Sequence, residues 1–228
     1  MGNGTRYPSK VEEGFRLIED GFVYNDEVNN QDSAVAKKLK RYCAFLSFYF
    51  PRADEAYQIF DSLRPKLRDI ETVGLEDIRM KVYGWSYLDT IVHVSNLFDK
   101  SMGKNEPASV LYLNAKLPAR ATHLNVDHVP ILPNDLSNDP KLKSLMGLRS
   151  KTVIHVEPKS FFQVLADLDK GPDFFAYLLD EIARPYLEEV YETFFVNPPS
   201  LQFAGNKNIE SLIKLGLKIG SDNKHRDS

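Results

Sequence analysis

Only one cysteine, Cys43, stands in 228 residues, so no internal disulfide can brace the chain, and its apolar neighbours suit a small buried hydrophobe. That economy fits a reducing compartment. No stretch is apolar for long enough to cross a bilayer. The start, Met1-Gly2-Asn3-Gly4-Thr5-Arg6, lacks an apolar signal core and has Arg6 where a myristoylation signal wants Ser or Thr. The expectation is a cytoplasmic protein without a membrane anchor. Basic excess is missing too: 29 Lys and Arg against 32 Asp and Glu leave a formal charge of −3. Without a global positive field, any contact with nucleic acid must be local. Internal repeats and low-complexity linkers are absent, which predicts a single helical domain over 1–228.

What the chain does have is apolar and aromatic content, 43% and 11%, enough to build a real core. Its period is helical almost throughout. Asp32 and Ser33 offer a cap for a helix with apolar Val35, Leu39, Tyr42, Leu46 and Tyr49, which Pro51 should stop, and Lys37, Lys38, Lys40 and Arg41 decorate its other face. A second stretch, 54–71, should split at Pro65. The longest candidate, 75–100, carries two apolar rows, Ile78, Val82, Trp85, Leu88 and Val92 beside Tyr87, Ile91, Val94 and Phe98, as a central helix packed on several sides would. Prolines punctuate 101–140 and leave room for one short helix over 109–117. Asp139 and Pro140 then open a helix running to about His155. Helices are expected over 160–169 and 173–195, the latter interrupted at Arg184-Pro185, and a weak one over 209–219 precedes a tail, 220–228, expected to be disordered. The fold class is therefore all-α, an up-and-down helical bundle with little or no sheet.

Four features bear on chemistry. His123 and His128, with Asp127 between them, would serve a helical metalloprotein, but their spacing matches no paired metal-ligand motif and suits ordinary loop residues as well. Asp89, His93, Asn96 and Lys100 form a polar row at helical steps, either a solvated stripe or the lining of a site. Glu188, Glu189 and Glu192 lie in a helical run and should face solvent. The fourth feature is Arg149-Ser150-Lys151-Thr152-Val153-Ile154-His155. Lys141, Lys143, Arg149 and Lys151 make its helix locally basic, without an acid from 141 to 151.

Arg149 and His155 at the end of a bundle helix resemble the R-x(4–6)-H signature of HEPN-domain proteins. The stretch from Tyr87 to Asp99-Lys100 is similar to the long helix and Asp-Lys turn of that superfamily's abortive-infection branch. The likeness covers about 75–195, and residues 1–74 become an N-terminal helical extension. The resemblance implies a metal-independent endoribonuclease of the toxin or antiphage-defence type that needs no cofactor and leaves 2′,3′-cyclic phosphate ends. His155 would be the general base, Arg149 the phosphate clamp and Ser150 a helper, with Lys141, Lys143 and Lys151 binding RNA and Asp89, His93 and Asn96 lining the site. It also implies a homodimer and a possible antitoxin partner. Ser150 and Glu157 depart from the residues commonest in the family at those places. A non-catalytic interaction or RNA-binding module is the other reading. On an ideal helix Arg149 and His155 stand about 120° apart, so a composite dimer site is expected, held by Leu142, Leu145 and Leu148 or by the wide face of the long helix.

Overall fold

A computed structural model of the chain describes residues 10–26, 28, 33–63, 76–100, 109–149 and 172–201. The architecture is an all-α bundle. Helix α1 (Lys10–Gly21) leads through a short strand, β1 (Val23–Tyr24), to the long α2 (Ser33–Leu63), and α3 (Glu76–Leu97) follows. Next come α4 (Val110–His123), a 3-10 turn (Leu136–Asn138) and α5 (Pro140–Leu148). The chain then passes without a break through α6 (Pro172–Ala176), a π-helical stretch (Tyr177–Ala183), α7 (Arg184–Phe194) and strand β2 (Phe195–Val196).

Helix α2 is the spine because its apolar positions recur on a face wide enough to meet several neighbours. Leu39, Cys43, Leu46, Phe50, Ala53 and Phe60 are all inaccessible to solvent. Burying each large side chain removes it from water at a gain of about 1.5–3 kcal/mol. That gain explains the first departure from expectation: α2 runs straight through Pro51. The proline forfeits one backbone hydrogen bond and crowds the preceding turn, but Phe50 and Ala53 on either side of it are locked in the core. Likewise α4 continues through Pro118 to His123, where the sequence pattern predicts an end at residue 117. Ser109 caps α4, its hydroxyl accepting from the Tyr112 backbone at 3.0 Å.

The core row of α3 is Tyr87, Ile91, Val94 and Leu97, continued by Phe98 just beyond the helix; Trp85, on the other predicted apolar row, is 67% exposed. At Arg184-Pro185 the expected interruption takes the form of a change from π-helical to α-helical winding. Proline has no N–H to give, so it sits best where a helix begins anew. Glu188, Glu189 and Glu192 face solvent as expected. The predictions for 54–71 beyond Leu63, for 160–169 and for 209–228 fall outside the described residues.

Two long-range ties close the bundle. Strands β1 and β2 pair antiparallel, Val23 opposite Val196 and Tyr24 opposite Phe195, and Phe22 packs edge-on against Tyr191 and Phe195. This is the only sheet among the described residues. Deeper in, Asp54 of α2 meets Arg184 at 3.3 Å while accepting from Gln58 at 2.9 Å, and the guanidinium lies over the Phe50 ring. Among the described residues no helix is long and apolar enough to cross a membrane.

Candidate functional site

Helix α5 starts where its sequence says it should. The Asp139 carboxylate accepts from the backbone of Lys141 at 2.7 Å and of Leu142 at 3.3 Å, and Pro140 fills a first-turn position whose N–H would have no helical partner. Leu142 and Leu145 point inward and are almost fully buried in the chain's own core. They are therefore not available to hold a second copy, which corrects the expectation that they supply association. Their burial fixes the helix so that Arg149, the residue that caps its C-terminal end, reaches the turn after α3.

There the Arg149 guanidinium donates to Asp99 Oδ2 at 2.8 Å, with side chains 30% and 21% exposed. Asp99 is itself held: its backbone carbonyl accepts the Ser109 hydroxyl at 2.5 Å, tying the turn to the start of α4. Lys100 donates to the Ser137 carbonyl at 2.6 Å. Together these groups frame a cavity of about 510 Å³, with Phe98, Leu111, Leu142 and Met146 as apolar walls. Among the described residues, Lys100, Lys143 and Arg149 bring three cations to it against the single acid Asp99. Such a recess suits an anionic group with an apolar or aromatic attachment.

The polar row of α3 lies beside it. Asn96 donates to the Tyr49 hydroxyl at 2.9 Å, His93 Nδ1 is 2.9 Å from the same oxygen, and His93 Nε2 is 3.3 Å from Asp89. One assignment of protons satisfies the whole chain: Tyr49 O–H donates to Nδ1 and Nε2–H donates to Asp89. Burial pushes the Tyr49 hydroxyl above its ordinary value; the Asn96 bond and the charges of Arg149 and Arg52 oppose that, while Asp89 reinforces it. Because Arg149 acts on Tyr49, the α3 row and the cation-lined cavity share one electrostatic neighbourhood.

Of the residues the sequence singled out, Arg149, Lys143 and Lys100 meet at the cavity, and His93 and Asn96 meet at Tyr49, with Asp89 joined to them through His93. Lys141 is exposed and lies 5.8 Å over the Phe174 ring, apart from the cavity lining. Ser150, Lys151 and His155 lie outside the described residues. His123 ends α4 in solvent, and His128 meets only Glu189, at 3.5 Å on the surface, among the described acids. No group of three potential metal ligands comes together among the described residues. Sequence reading missed Tyr49 as a site residue because it falls on the apolar row of α2. The available signal was a hydroxyl-bearing aromatic at the edge of that row. It missed Asp99 as the partner of Arg149 because the two are fifty residues apart.

No protein family, no curated protein and no solved structure matches the chain.

Proposed function

We propose that the chain is a metal-independent endoribonuclease of the HEPN kind, with the scissile phosphate held at the Arg149 cavity. The observation that carries this reading is the meeting of Arg149, Lys143 and Lys100 around one recess, in a protein whose overall charge is negative. A guanidinium there can hold a phosphate in two places and stabilise the charge that builds up as the 2′-oxygen attacks. His155 takes the proton of the 2′-hydroxyl in this proposal, a role drawn from its spacing to Arg149, and Ser150 helps position the phosphate. The attack forms the new 2′-oxygen to phosphorus bond and breaks the bond to the 5′-oxygen, which takes a proton from solvent water, and it leaves a 2′,3′-cyclic phosphate and a 5′-hydroxyl. A homodimer would bring a second Arg149 and His155 to the same groove, and a cognate antitoxin would cover it.

The test is incubation of the chain with RNA, with and without EDTA. Cleavage that survives EDTA, yields cyclic phosphate ends and drops on the order of a hundredfold in both Arg149→Ala and His155→Ala supports the reading. Cleavage that both variants retain overturns it. One observation favours a second reading, RNA binding without cleavage: Arg149 already spends its guanidinium on Asp99. In that case the intact chain binds RNA with a steep salt dependence and leaves it whole.

A further inference from the structure

From residue 33 to residue 53 the chain carries five cations, Lys37, Lys38, Lys40, Arg41 and Arg52, and not one acid. In a protein of net charge −3 this is a local reversal of sign. The helix sorts these residues by face. Lys37, Lys38, Arg41, Phe45, Phe48 and Arg52 are all exposed and follow one another at steps of one, three and four along α2. Phe45 is 36% exposed and Phe48 40%, although both could have been exchanged for the polar residues that usually occupy a solvent face. Arg52 lies over the Phe48 ring at 4.4 Å, and Phe45 stacks on Tyr49 with ring centres 5.7 Å apart and planes 15° from parallel. Through Phe45 the stripe thus touches Tyr49, the residue that Asn96 and His93 bond and that feels the charge of Arg149.

We infer that this stripe of α2 is a binding track for single-stranded RNA that leads to the Arg149 cavity; the inference rests on the reading of that cavity as a phosphate site. Cations spaced along a helix face meet successive phosphates, and exposed aromatic rings between them offer flat faces on which unpaired bases stack. A duplex hides those faces, so single strands are preferred. The run from Lys37 to Arg52 is about 22 Å long at the helical rise, which matches about seven nucleotides at a stacked spacing of ~3.4 Å. Helix α1 borders the track, its Phe15 meeting Phe45 at 6.2 Å.

The test uses the full chain and fluorescence anisotropy with a labelled ten-nucleotide 2′-O-methyl RNA, which has no 2′-hydroxyl nucleophile and is not cut. The same strand annealed to its complement and vesicles of phosphatidylglycerol are the competing ligands. The single strand should bind more tightly than the duplex, and Phe48→Ala should weaken it on the order of tenfold. Lys37→Ala and Arg41→Ala should each lower the slope of log affinity against log salt by about 0.7. These three side chains are exposed, so their variants keep the fold, and circular dichroism checks that they do. Unchanged affinity in all three, a preference for the duplex, or a loss confined to vesicle binding overturns the track. Binding of uncut RNA that depends on the stripe, with no cleavage of ordinary RNA, keeps the track and removes the nuclease. Cleavage that needs Arg149 and ignores all three stripe variants does the reverse.

Discussion

The Asp99–Arg149 pair decides whether the cavity is a rigid site or two loose side chains, and a double-mutant cycle measures it. At 2.8 Å the gross attraction between unit charges is about 6 kcal/mol at an effective dielectric of 20. Most of that is offset by removing both groups from water, and the pair lies between the two usual regimes. Exposed pairs contribute about 0–1 kcal/mol, and breaking a buried one costs about 3–5 kcal/mol. With the side chains 30% and 21% exposed, Arg149→Met should cost about 1–3 kcal/mol, because it leaves Asp99 half-buried and charged without its guanidinium. At a sensitivity of about 2–4 °C per kcal/mol for a chain of this size, the midpoint of thermal unfolding should fall by roughly 2–12 °C. Asp99→Asn should cost less, since the amide oxygen still accepts from the guanidinium. The double variant should recover about 1 kcal/mol or more relative to the sum of the singles. On the proposed nuclease reading Asp99→Asn also has a functional readout: if Asp99 aims the guanidinium, RNA cleavage falls while the general-base limb of the pH profile stays in place. A coupling below about 0.3 kcal/mol with unchanged cleavage would refute the argument that Asp99 positions Arg149.

Other expectations follow from the core. Burial raises the Asp54 carboxyl above its ordinary value in spite of Gln58 and Arg184. Its ionisation therefore favours the unfolded chain, so this group's contribution to stability is full below about pH 4 and declines as pH rises from there through the folded value. Asp54→Asn should accordingly compare better with the parent at pH 7 than at pH 3 in chemical unfolding curves; the opposite trend would show that Arg184 outweighs burial. Pro51→Ala restores a hydrogen bond inside α2 and should raise stability by about 1–3 kcal/mol, less what the proline contributes by stiffening the unfolded chain. An unchanged or lowered thermal midpoint would mean that the helix has adapted to the ring. Cys43 is inaccessible and burial pushes its thiol well up, so it should resist a thiol reagent at pH 8 until denaturant is added; prompt labelling of the native chain would contradict its place in the core.

The parts of this protein that were legible in the sequence are those governed by neighbours along the chain. Asp139-Pro140 announces α5 because a cap is a contact across two or three residues. The burial of Leu39 follows from helical period, and that of Cys43 from its apolar neighbours along the chain. Prolines misled where tertiary packing outweighs a local penalty: Pro51 and Pro118 sit inside helices whose flanking residues are fixed in the core. Periodicity also could not choose between the two apolar rows of α3, since the choice depends on which one α2 covers. The Trp85 row lost, and an aromatic was left outside.

The site shows the same division. Two of its cations, Lys143 and Arg149, were legible because they lie close together at one helix, yet Lys141 and Lys143, two residues apart, go different ways, one toward the Phe174 ring and one to the cavity. What makes Arg149 part of a site is Asp99, and what links His93 to it is Tyr49; both ties join residues more than forty positions apart. No local pattern encodes them. They arise because Leu142 and Leu145 seat α5 near the end of α3, and because Leu46 and Phe50, flanking Tyr49 on α2, are buried in the bundle. The packing that fixes the fold thus also places the polar groups, and a substitution deep under α5 should act on the site as strongly as one at its rim. Leu145→Ala is the case that separates the two: it removes no group from the cavity, costs about 2–5 kcal/mol of stability by leaving a void, and loosens the helix that carries Arg149. If cleavage is set by the position of the guanidinium, activity per folded molecule should drop in Leu145→Ala at a temperature where the chain is still folded, as judged by circular dichroism. Full activity per folded molecule would show that Arg149 is held by Asp99 alone.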